Sequence, residues 1–165
     1  MIQGDIKIID NFLEPSYFNE LGTLLNSDKF SWFIGKEISN SGEVLGNLYY
    51  QTHTLFINYQ ICSEFFDKFT PMLDKLNVKS LIRLRTNLYP GREKLYEHGW
   101  HTDYNYKNKT ALLYINNNDG YTKFKDGTKV KSVANRILIF DSSEEHLSTN
   151  CTNDWARCNI NINYF

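Results

Sequence analysis

His101-Thr102-Asp103 is the stretch of sequence that decides the predicted fold and chemistry of this chain. Side chains alternate between the two faces of a strand, so the imidazole of His101 and the carboxylate of Asp103 point the same way. Two such ligands on one strand can bind one metal ion, and a third ligand has to come from a distant strand. His146 follows a later strand-like segment and is the candidate for that third position.

The donor set of these three residues favours a particular kind of metal centre. Two imidazoles and one carboxylate on one side of a metal leave the opposite coordination positions open, an arrangement that suits Fe(II). Arg157 lies beyond His146, and its guanidinium offers a fixed cation for the far carboxylate of an acidic co-substrate. The same donors could instead hold Zn²⁺ and activate water for hydrolysis, a scheme in which Arg157 has no special task.

Histidine is scarce in this chain, which contains four. His98 competes with His101 as a ligand, but the second residue after His98 is Trp100 rather than an acid, so His101 is preferred. His53 lies far upstream in a loop or strand. For an isolated histidine of this kind, a hydrogen-bonded structural role is the ordinary interpretation.

Short β-type segments fill the chain from about residue 80 onward. Turn residues separate them, among them Asp126-Gly127, which suits a tight hairpin. The predicted strands are Leu81–Tyr89, Thr110–Asn116, Thr122–Lys125, Thr128–Lys131, Arg136–Phe140 and Arg157–Phe165.

Helical patterns occupy much of the first half. Pro15 suits the first turn of a helix over roughly 15–26, in which apolar residues recur at threes and fours. A second helical pattern begins near Asn58 and contains Pro71, which predicts a kink or two abutting helices.

Helices first and many short strands afterwards predict an α+β, mainly β, fold: a double-stranded β-helix, or jelly roll, buttressed by N-terminal helices. A length of 165 residues predicts one domain over 1–165, with the helical buttress at about 1–79 and the jelly-roll core at about 80–165. Residues 5–10 are predicted to form a short strand, and Ser39–Gly46, rich in Ser, Asn and Gly, a loop.

Polar side chains occupy one face of two predicted strands. On the strand 81–89 they are Arg83, Arg85, Asn87 and Tyr89. On the last strand they are Arg157, Asn159, Asn161 and Asn163. Such rows form the solvent face of an ordinary sandwich, or they line a polar cavity in a barrel-like fold that binds an acidic ligand. The pattern alone leaves both interpretations open.

The composition limits the partners. The formal net charge is -1, the pI is about 6.4 and no basic block occurs, so broad nucleic-acid binding is not indicated. No apolar run approaches membrane-spanning length, and the N-terminus lacks the order of a signal peptide. Three cysteines without paired spacing predict free thiols in the reducing cytoplasm.

These motifs, in this order, resemble the Fe(II)/2-oxoglutarate-dependent dioxygenases, and most closely the prolyl 4-hydroxylase-like branch. The resemblance covers the C-terminal half, with a weaker echo in the N-terminal stretch IIDNFLEPSYFNELGTLL. The matching segments are Tyr89-Pro90-Gly91, Tyr96 to Asp103, Thr110 to Asn116, Asn135 to Phe140, His146 and Arg157 to Phe165.

The resemblance implies a set of binding roles but no catalytic residue beyond the metal ligands. It implies an Fe(II) site formed by His101, Asp103 and His146. Arg157 would pair with the C5 carboxylate of 2-oxoglutarate, and Tyr89 and Tyr114 would donate hydroxyl hydrogen bonds to that co-substrate. The implied reaction consumes O2 and converts 2-oxoglutarate to succinate and CO2 while a C–H bond of the substrate is hydroxylated.

The prime substrate is predicted from likeness alone to be a peptidyl proline, and a free amino acid, a nucleotide-linked group or another small metabolite stays an alternative. Candidate substrate contacts are Arg83, Arg85, Asn87 and Trp100, of which the arginines suit a polar or anionic substrate. A non-catalytic jelly-roll binding module is the competing class of function. In such a module the histidines, Asp103 and Arg157 would have no shared role, and the protein would have no affinity for Fe(II).

Overall fold

Strands supply most of the regular structure in this computed structural model, which describes residues 6–35 and 49–165. Two short helices are present, α1 (Pro15–Leu25) and α2 (Thr70–Lys75), and a 3₁₀ turn (Phe66–Phe69) directly precedes α2. None of the helices in these ranges is long and apolar enough to cross a membrane. The strands are β1 (Lys7–Ile9), β2 (Phe33–Gly35), β3 (Tyr50–Ile57), β4 (Gln60–Ile61), β5 (Leu81–Pro90), β6 (Lys109–Tyr114), β7 (Tyr121–Phe124), β8 (Lys129–Lys131), β9 (Ile137–Asp141), β10 (His146–Ser148) and β11 (Ala156–Tyr164).

The strands form two antiparallel sheets. The large sheet has the order β1-β9-β6-β11-β5-β3-β2, with β4 paired to β3, and the small sheet has the order β10-β7-β8. β11 lies at the centre of the large sheet, where Asn161 pairs with Arg85 of β5 and with Leu112 of β6. The two strands with polar rows are therefore direct neighbours.

The two faces of the large sheet have different surroundings. On one face, alternate residues of the strands pack with α1 and α2 in the main core, as Leu84, Leu113 and Ile160 do. On the other face, Leu112 and Phe140 pack with Phe124 of the small sheet. The polar rows of β5 and β11 lie on this second face, because they alternate with residues of the main core. Asn159, Asn163 and Arg157 are all at most 2% exposed, so the interpretation as a solvent face is wrong.

The strands predicted from residue 80 onward are confirmed to within a residue or two. The predicted helical buttress is only partly right, since the described part of the first 79 residues also contributes four strands, β1 to β4. The helical pattern predicted from Asn58 is wrong at its start, because β4 and a loop precede the 3₁₀ turn. The abutting pair of helical segments around Pro71 is confirmed. The predicted loop Ser39–Gly46 lies outside the described residues.

Asn135 fastens the N-terminal segment to the sheet. Its backbone has a φ of 60°, in the left-handed region that Asn tolerates better than most residues. Its side chain accepts a hydrogen bond from the Leu13 backbone N–H at 2.8 Å and donates one to the Leu13 carbonyl at 2.8 Å. Its own carbonyl accepts from the Phe12 N–H at 2.9 Å. The chain entering α1 is thus held against the turn before β9.

Substitution of Asn135 is expected to destabilise the protein in two separable steps. Asn135→Gly keeps the backbone conformation but leaves both buried polar groups of Leu13 without their partner, which costs about 2 kcal/mol of unfolding free energy. Asn135→Ala adds strain at positive φ, for a total of about 3 kcal/mol. Urea unfolding of both variants measures the difference. A negligible loss of unfolding free energy in both variants would show that the two hydrogen bonds between the Asn135 side chain and the Leu13 backbone contribute nothing to stability.

Candidate metal centre

The three predicted metal ligands meet at one point between the two sheets. His101 and His146 exchange both backbone hydrogen bonds, His101 N–H to the His146 carbonyl at 3.0 Å and the reverse at 2.9 Å. Asp103 follows His101 by two residues, in a bend rather than the regular strand that the sequence predicted. One ligand atom from each of the three side chains lies within 4.8 Å of the other two. The three side chains are close enough to share one ion.

The backbone sets the tautomer of both histidines. Nδ1 of His101 lies 3.1 Å from the Gly99 carbonyl oxygen, and Nδ1 of His146 lies 2.9 Å from the Glu144 carbonyl oxygen. A carbonyl oxygen only accepts, so each Nδ1 carries the proton and each Nε2 keeps a free lone pair. Fixing a ligand histidine through its other ring nitrogen is the usual arrangement around a metal. Burial, and then the neighbouring His146, also lowers the pKa of His101 to about 4, which keeps that ring neutral.

Asp103 is held by four side chains. Its Oδ1 accepts from the Arg83 guanidinium at 3.1 Å. Its Oδ2 accepts from Thr110, Asn163 and Asn161 at 2.8, 3.0 and 3.3 Å. Burial by itself would raise the pKa of this carboxyl, but the Arg83 charge and the neighbouring donors outweigh burial and hold the pKa below its ordinary value. The carboxylate is therefore ionised and fixed in orientation.

Arg83 therefore holds Asp103 in position. The guanidinium of Arg83 is itself fixed, because its Nε donates to the Asn163 side chain at 2.9 Å. Outer groups that orient a metal ligand typically contribute about 10- to 100-fold to metal affinity. We expect Arg83→Gln to weaken Mn(II) binding by about 10-fold, and Arg83→Lys to weaken it less because the charge is kept. Calorimetric titration with Mn(II) measures both. Unchanged affinity in Arg83→Gln would mean that Arg83 does not position Asp103.

Arg157 is a fully buried cation without an acidic partner in the described part of the chain. It is 0% exposed, and its two terminal nitrogens donate to the Thr149 carbonyl and the Thr122 hydroxyl, each at 3.1 Å. Its Nε has no hydrogen-bond partner among the described residues. The guanidinium carbon lies 5.6 Å from the Tyr89 ring centre and 5.3 Å from that of Tyr114. A buried charge without a counterion is costly, so the arrangement fits an anion that arrives with a ligand.

Both tyrosines predicted to donate to the co-substrate lie beside Arg157. Burial raises the pKa of Tyr89 and of Tyr114, so both phenols stay protonated and able to donate. The Tyr114 hydroxyl donates at 2.9 Å to Thr122, the same threonine that accepts from Arg157. Their contact with a co-substrate stays a prediction.

The other sequence candidates are placed differently. Trp100 lies against the small sheet, with the Lys125 ammonium 4.3 Å from its ring centre, and its substrate role stays a prediction. His98 is buried and bonds to the Ser148 hydroxyl at 2.8 Å through Nδ1, outside the three-residue cluster. His53 bridges Ser31 and Ser63 at 2.6 and 2.8 Å, as its structural interpretation predicted.

Gly120 is a site residue that the sequence did not reveal. It directly precedes β7. A Cβ atom at this position would lie 2.5 Å from Cδ of Arg157 and 2.5 Å from the Asn150 carbonyl oxygen. Glycine is therefore needed here so that the loop before β7 can pass close to the arginine. Thr110 and Thr122 were missed as well, because nothing local distinguishes them from other strand threonines.

Known structures share this architecture along nearly the whole chain. A prolyl-4-hydroxylase from Pseudomonas putida superposes with a TM-score of 0.69 at 16% identity, over 98% of this chain and 92% of that one. A prolyl hydroxylase from Trichoplax adhaerens, in complex with a hypoxia inducible factor peptide fragment, gives 0.70 at 18% identity, over 97% and 83%. An oxidoreductase of the 2OG-Fe(II) oxygenase family from Burkholderia pseudomallei gives 0.71 at 7% identity, over 96% and 84%.

The fold is that of the 2OG-Fe(II) oxygenases. The resemblance predicted from the motifs is thus confirmed at the level of the fold, prolyl hydroxylases being among these 2OG-Fe(II) oxygenase neighbours. No protein-family model and no curated protein matches the sequence. At sequence identities this low, the similarity shows the architecture alone, and the chemistry has to be argued from the residues of the site.

Proposed function

We propose that this protein is an Fe(II)- and 2-oxoglutarate-dependent dioxygenase that hydroxylates a C–H bond of its substrate. The proposal rests on the meeting of His101, Asp103 and His146, together with the buried guanidinium of Arg157, which has no acidic partner among the described residues. When bound, Fe(II) with 2-oxoglutarate and O2 supplies the oxidation, which yields succinate, CO2 and a hydroxylated product.

The side chains would divide the binding work. The free Nε2 atoms of His101 and His146, together with a carboxylate oxygen of Asp103, would hold Fe(II), for which this donor set is suited. Arg157 would bind the C5 carboxylate of 2-oxoglutarate through its planar guanidinium, with Tyr89 and Tyr114 as protonated donors beside it. Since Arg157 is fully buried, its positive charge acts in an environment with little water, where it attracts the carboxylate of a dianion strongly.

Arg157 distinguishes this proposal from a zinc hydrolase built on the same ligands. A hydrolase needs water and a metal but no dicarboxylic acid, and it leaves a fully buried guanidinium without an anion. A non-catalytic binding module explains neither the buried guanidinium nor the fixed tautomers of the two histidines. The oxygenase assignment accounts for all of these features together.

The proposal extends to the fold name, the domain, the location and the class of substrate. The paired sheets would form a double-stranded β-helix, and 1–165 would be one oxygenase domain. Cys62, Cys151 and Cys158 are free thiols, which supports the reducing cytoplasm as its location. The partner would be a small-molecule or peptide substrate, and a peptidyl proline is the class that the prolyl hydroxylase neighbours suggest.

Succinate release tests the proposal directly. The purified protein, supplied with Fe(II), 2-oxoglutarate and O2 but no prime substrate, should consume 2-oxoglutarate slowly and release an equal amount of succinate. Replacement of Fe(II) by Zn²⁺ should abolish the release, because zinc has no redox chemistry. Hydrolytic activity with Zn²⁺ and no succinate with Fe(II) would instead establish the hydrolase.

A further inference from the structure

The face of β5 and β11 that looks toward the small sheet carries more positive than negative charge. Its arginines are Arg83, Arg85 and Arg157. The only carboxylate within 4.0 Å of any of their nitrogens in the described ranges is Asp103, which pairs with Arg83. Under the proposed function, the far carboxylate of 2-oxoglutarate pairs with Arg157. Among the described residues, Arg85 is then the cation whose charge no carboxylate balances.

Arg85 has an unsatisfied hydrogen-bond donor as well as an unbalanced charge. Its Nε is buried and has no hydrogen-bond partner in the part of the chain that the structure describes. Its guanidinium carbon lies 5.9 Å from the ring centre of Tyr50, and that ring stacks on Tyr89 with centres 5.9 Å apart. One aromatic contact does not replace a hydrogen bond, so the buried N–H is open to a ligand oxygen.

Two unsatisfied acceptors lie next to Arg85. Asn161 is its register partner on β11, and Asn87 is the next residue on the same face of β5. The Oδ1 atoms of both asparagines are buried, and neither has a hydrogen-bond partner within residues 6–35 and 49–165. Their orientations are set, because Nδ2 of Asn161 donates to Asp103 at 3.3 Å and Nδ2 of Asn87 donates to Asn159 at 3.1 Å. Cross-strand and same-face neighbours of this kind stand about 5–7 Å apart.

We propose that Arg85, Asn87 and Asn161 form a subsite for a small prime substrate that carries an anionic oxygen group, with an N–H or O–H donor close to that group. This inference rests on the proposed function, which assigns Arg157 to 2-oxoglutarate. A guanidinium binds carboxylates and phosphates through paired N–H donors, and the asparagine oxygens accept from an ammonium, amine or hydroxyl group. A free amino acid has both features, and so does a sugar phosphate.

An interior prolyl residue of a peptide fits this subsite poorly. It is neutral, and its nitrogen carries no hydrogen, so it would leave both the Arg85 charge and the asparagine oxygens unsatisfied. Sites with buried polar groups reject ligands that lack the matching partner. The subsite therefore favours a small anionic molecule over the interior of a polypeptide.

A paired substrate panel tests the subsite. Each anionic probe is matched with a neutral one: L-amino acids with their primary amides, L-proline with N-acetyl-L-proline amide, glucose 6-phosphate with glucose, and AMP with adenosine. We expect at least one anionic probe to stimulate succinate release about 10-fold more than its neutral match. Stimulation by amino acids identifies a carboxylate as the anionic group, and stimulation by the phosphorylated probes identifies a phosphate.

Variants of Arg85 assign the effect to this residue. Arg85→Gln should raise the KM for the stimulating probe about 10-fold or more, with a smaller change in kcat, and Arg85→Lys should recover part of the loss because the charge returns. Lys29→Gln, at an exposed surface position, is the matched charge control and should leave this KM unchanged. Anaerobic titration of the probe into protein with Fe(II) and 2-oxoglutarate, followed by visible absorption, gives a binding readout independent of turnover.

The outcomes separate the two proposals. If the protein releases succinate without a prime substrate but no anionic probe exceeds its neutral match, the subsite is wrong and the oxygenase assignment stands. The subsite is also wrong if Arg85→Gln and Arg85→Lys bind the stimulating probe as tightly as the unmodified chain. If no succinate is released and no 2-oxoglutarate is bound, both proposals fail.

Discussion

His146→Ala is expected to weaken metal binding by more than about 100-fold and to remove succinate release. Removing a group that merely orients a metal ligand costs about 10- to 100-fold in affinity, so losing one of three direct ligands costs more. The Nε2 atom that would bind the metal is freed by the contact of Nδ1 with the Glu144 carbonyl at 2.9 Å, and alanine supplies no substitute. Calorimetric titration with Mn(II), together with succinate release under Fe(II), measures both effects.

His53→Gln is the matched control for this variant. His53 is a buried histidine with two hydrogen bonds, to Ser31 and Ser63, and it lies outside the cluster of possible ligands. Its substitution should lower the free energy of unfolding by about 1 kcal/mol and leave the affinity for Mn(II) unchanged. A loss of metal affinity in His53→Gln as large as that in His146→Ala would mean that the metal effect reports damaged folding and not a lost ligand.

Arg157→Met is expected to lower the affinity for 2-oxoglutarate by about 100-fold or more, because a buried, charge-assisted contact to a carboxylate is worth several kcal/mol when one partner is removed. The same substitution should change the stability of the ligand-free protein by less than about 1 kcal/mol. The loss of hydrogen bonds to Thr149 and Thr122 opposes the relief of an uncompensated buried charge.

Two measurements on Arg157→Met check this pair of effects. Urea unfolding without ligand gives the stability, and the rise in melting temperature with Mn(II) and 2-oxoglutarate gives the binding. Arg157→Lys is the control, since it keeps the charge but loses the planar two-point contact, and about 10-fold weaker binding is expected. Full ligand-induced stabilisation of Arg157→Met would remove the co-substrate role of this arginine.

Two central strands of the fold, β5 and β11, could be predicted from the chain because apolar and polar residues alternate along them. Leu84, Leu88, Ile160 and Ile162 mark one face of β5 and β11, and all four are buried. The environment of the opposite, polar face was undecided, because alternation says nothing about what covers a face. The small sheet that covers it joins the local hairpin of β7 and β8 to β10, and the pairing of β10 with the more distant β7 has no local pattern.

β3 was overlooked for a different reason. Its sequence, Tyr-Gln-Thr-His-Thr-Leu-Phe-Ile, is rich in aromatic and β-branched residues and favours a strand. The helical pattern predicted from near Asn58 covers β4 instead, and no strand was predicted for residues 50–57. The strand preference of residues 50–57 was the pattern that could have revealed β3.

The candidate metal ligands could be predicted, whereas most of the groups around them could not. His101 and Asp103 are close in sequence, and the ordered set of motifs indicated His146 and Arg157. The contacts of Asp103 with Arg83, Thr110 and Asn163 depend on the register of β5, β6 and β11. The need for glycine at position 120 depends on the path of the Arg157 side chain. Such contacts emerge only when the strands are aligned.

Anaerobic visible absorption of the full chain, titrated first with Fe(II) and then with 2-oxoglutarate, shows whether one site binds both. An oxygenase should develop a weak charge-transfer band that appears only when both are present, that saturates at one equivalent of iron, and that is absent from His146→Ala. A protein that binds Fe(II) without developing the band on addition of 2-oxoglutarate, or that binds no Fe(II), would contradict the oxygenase assignment.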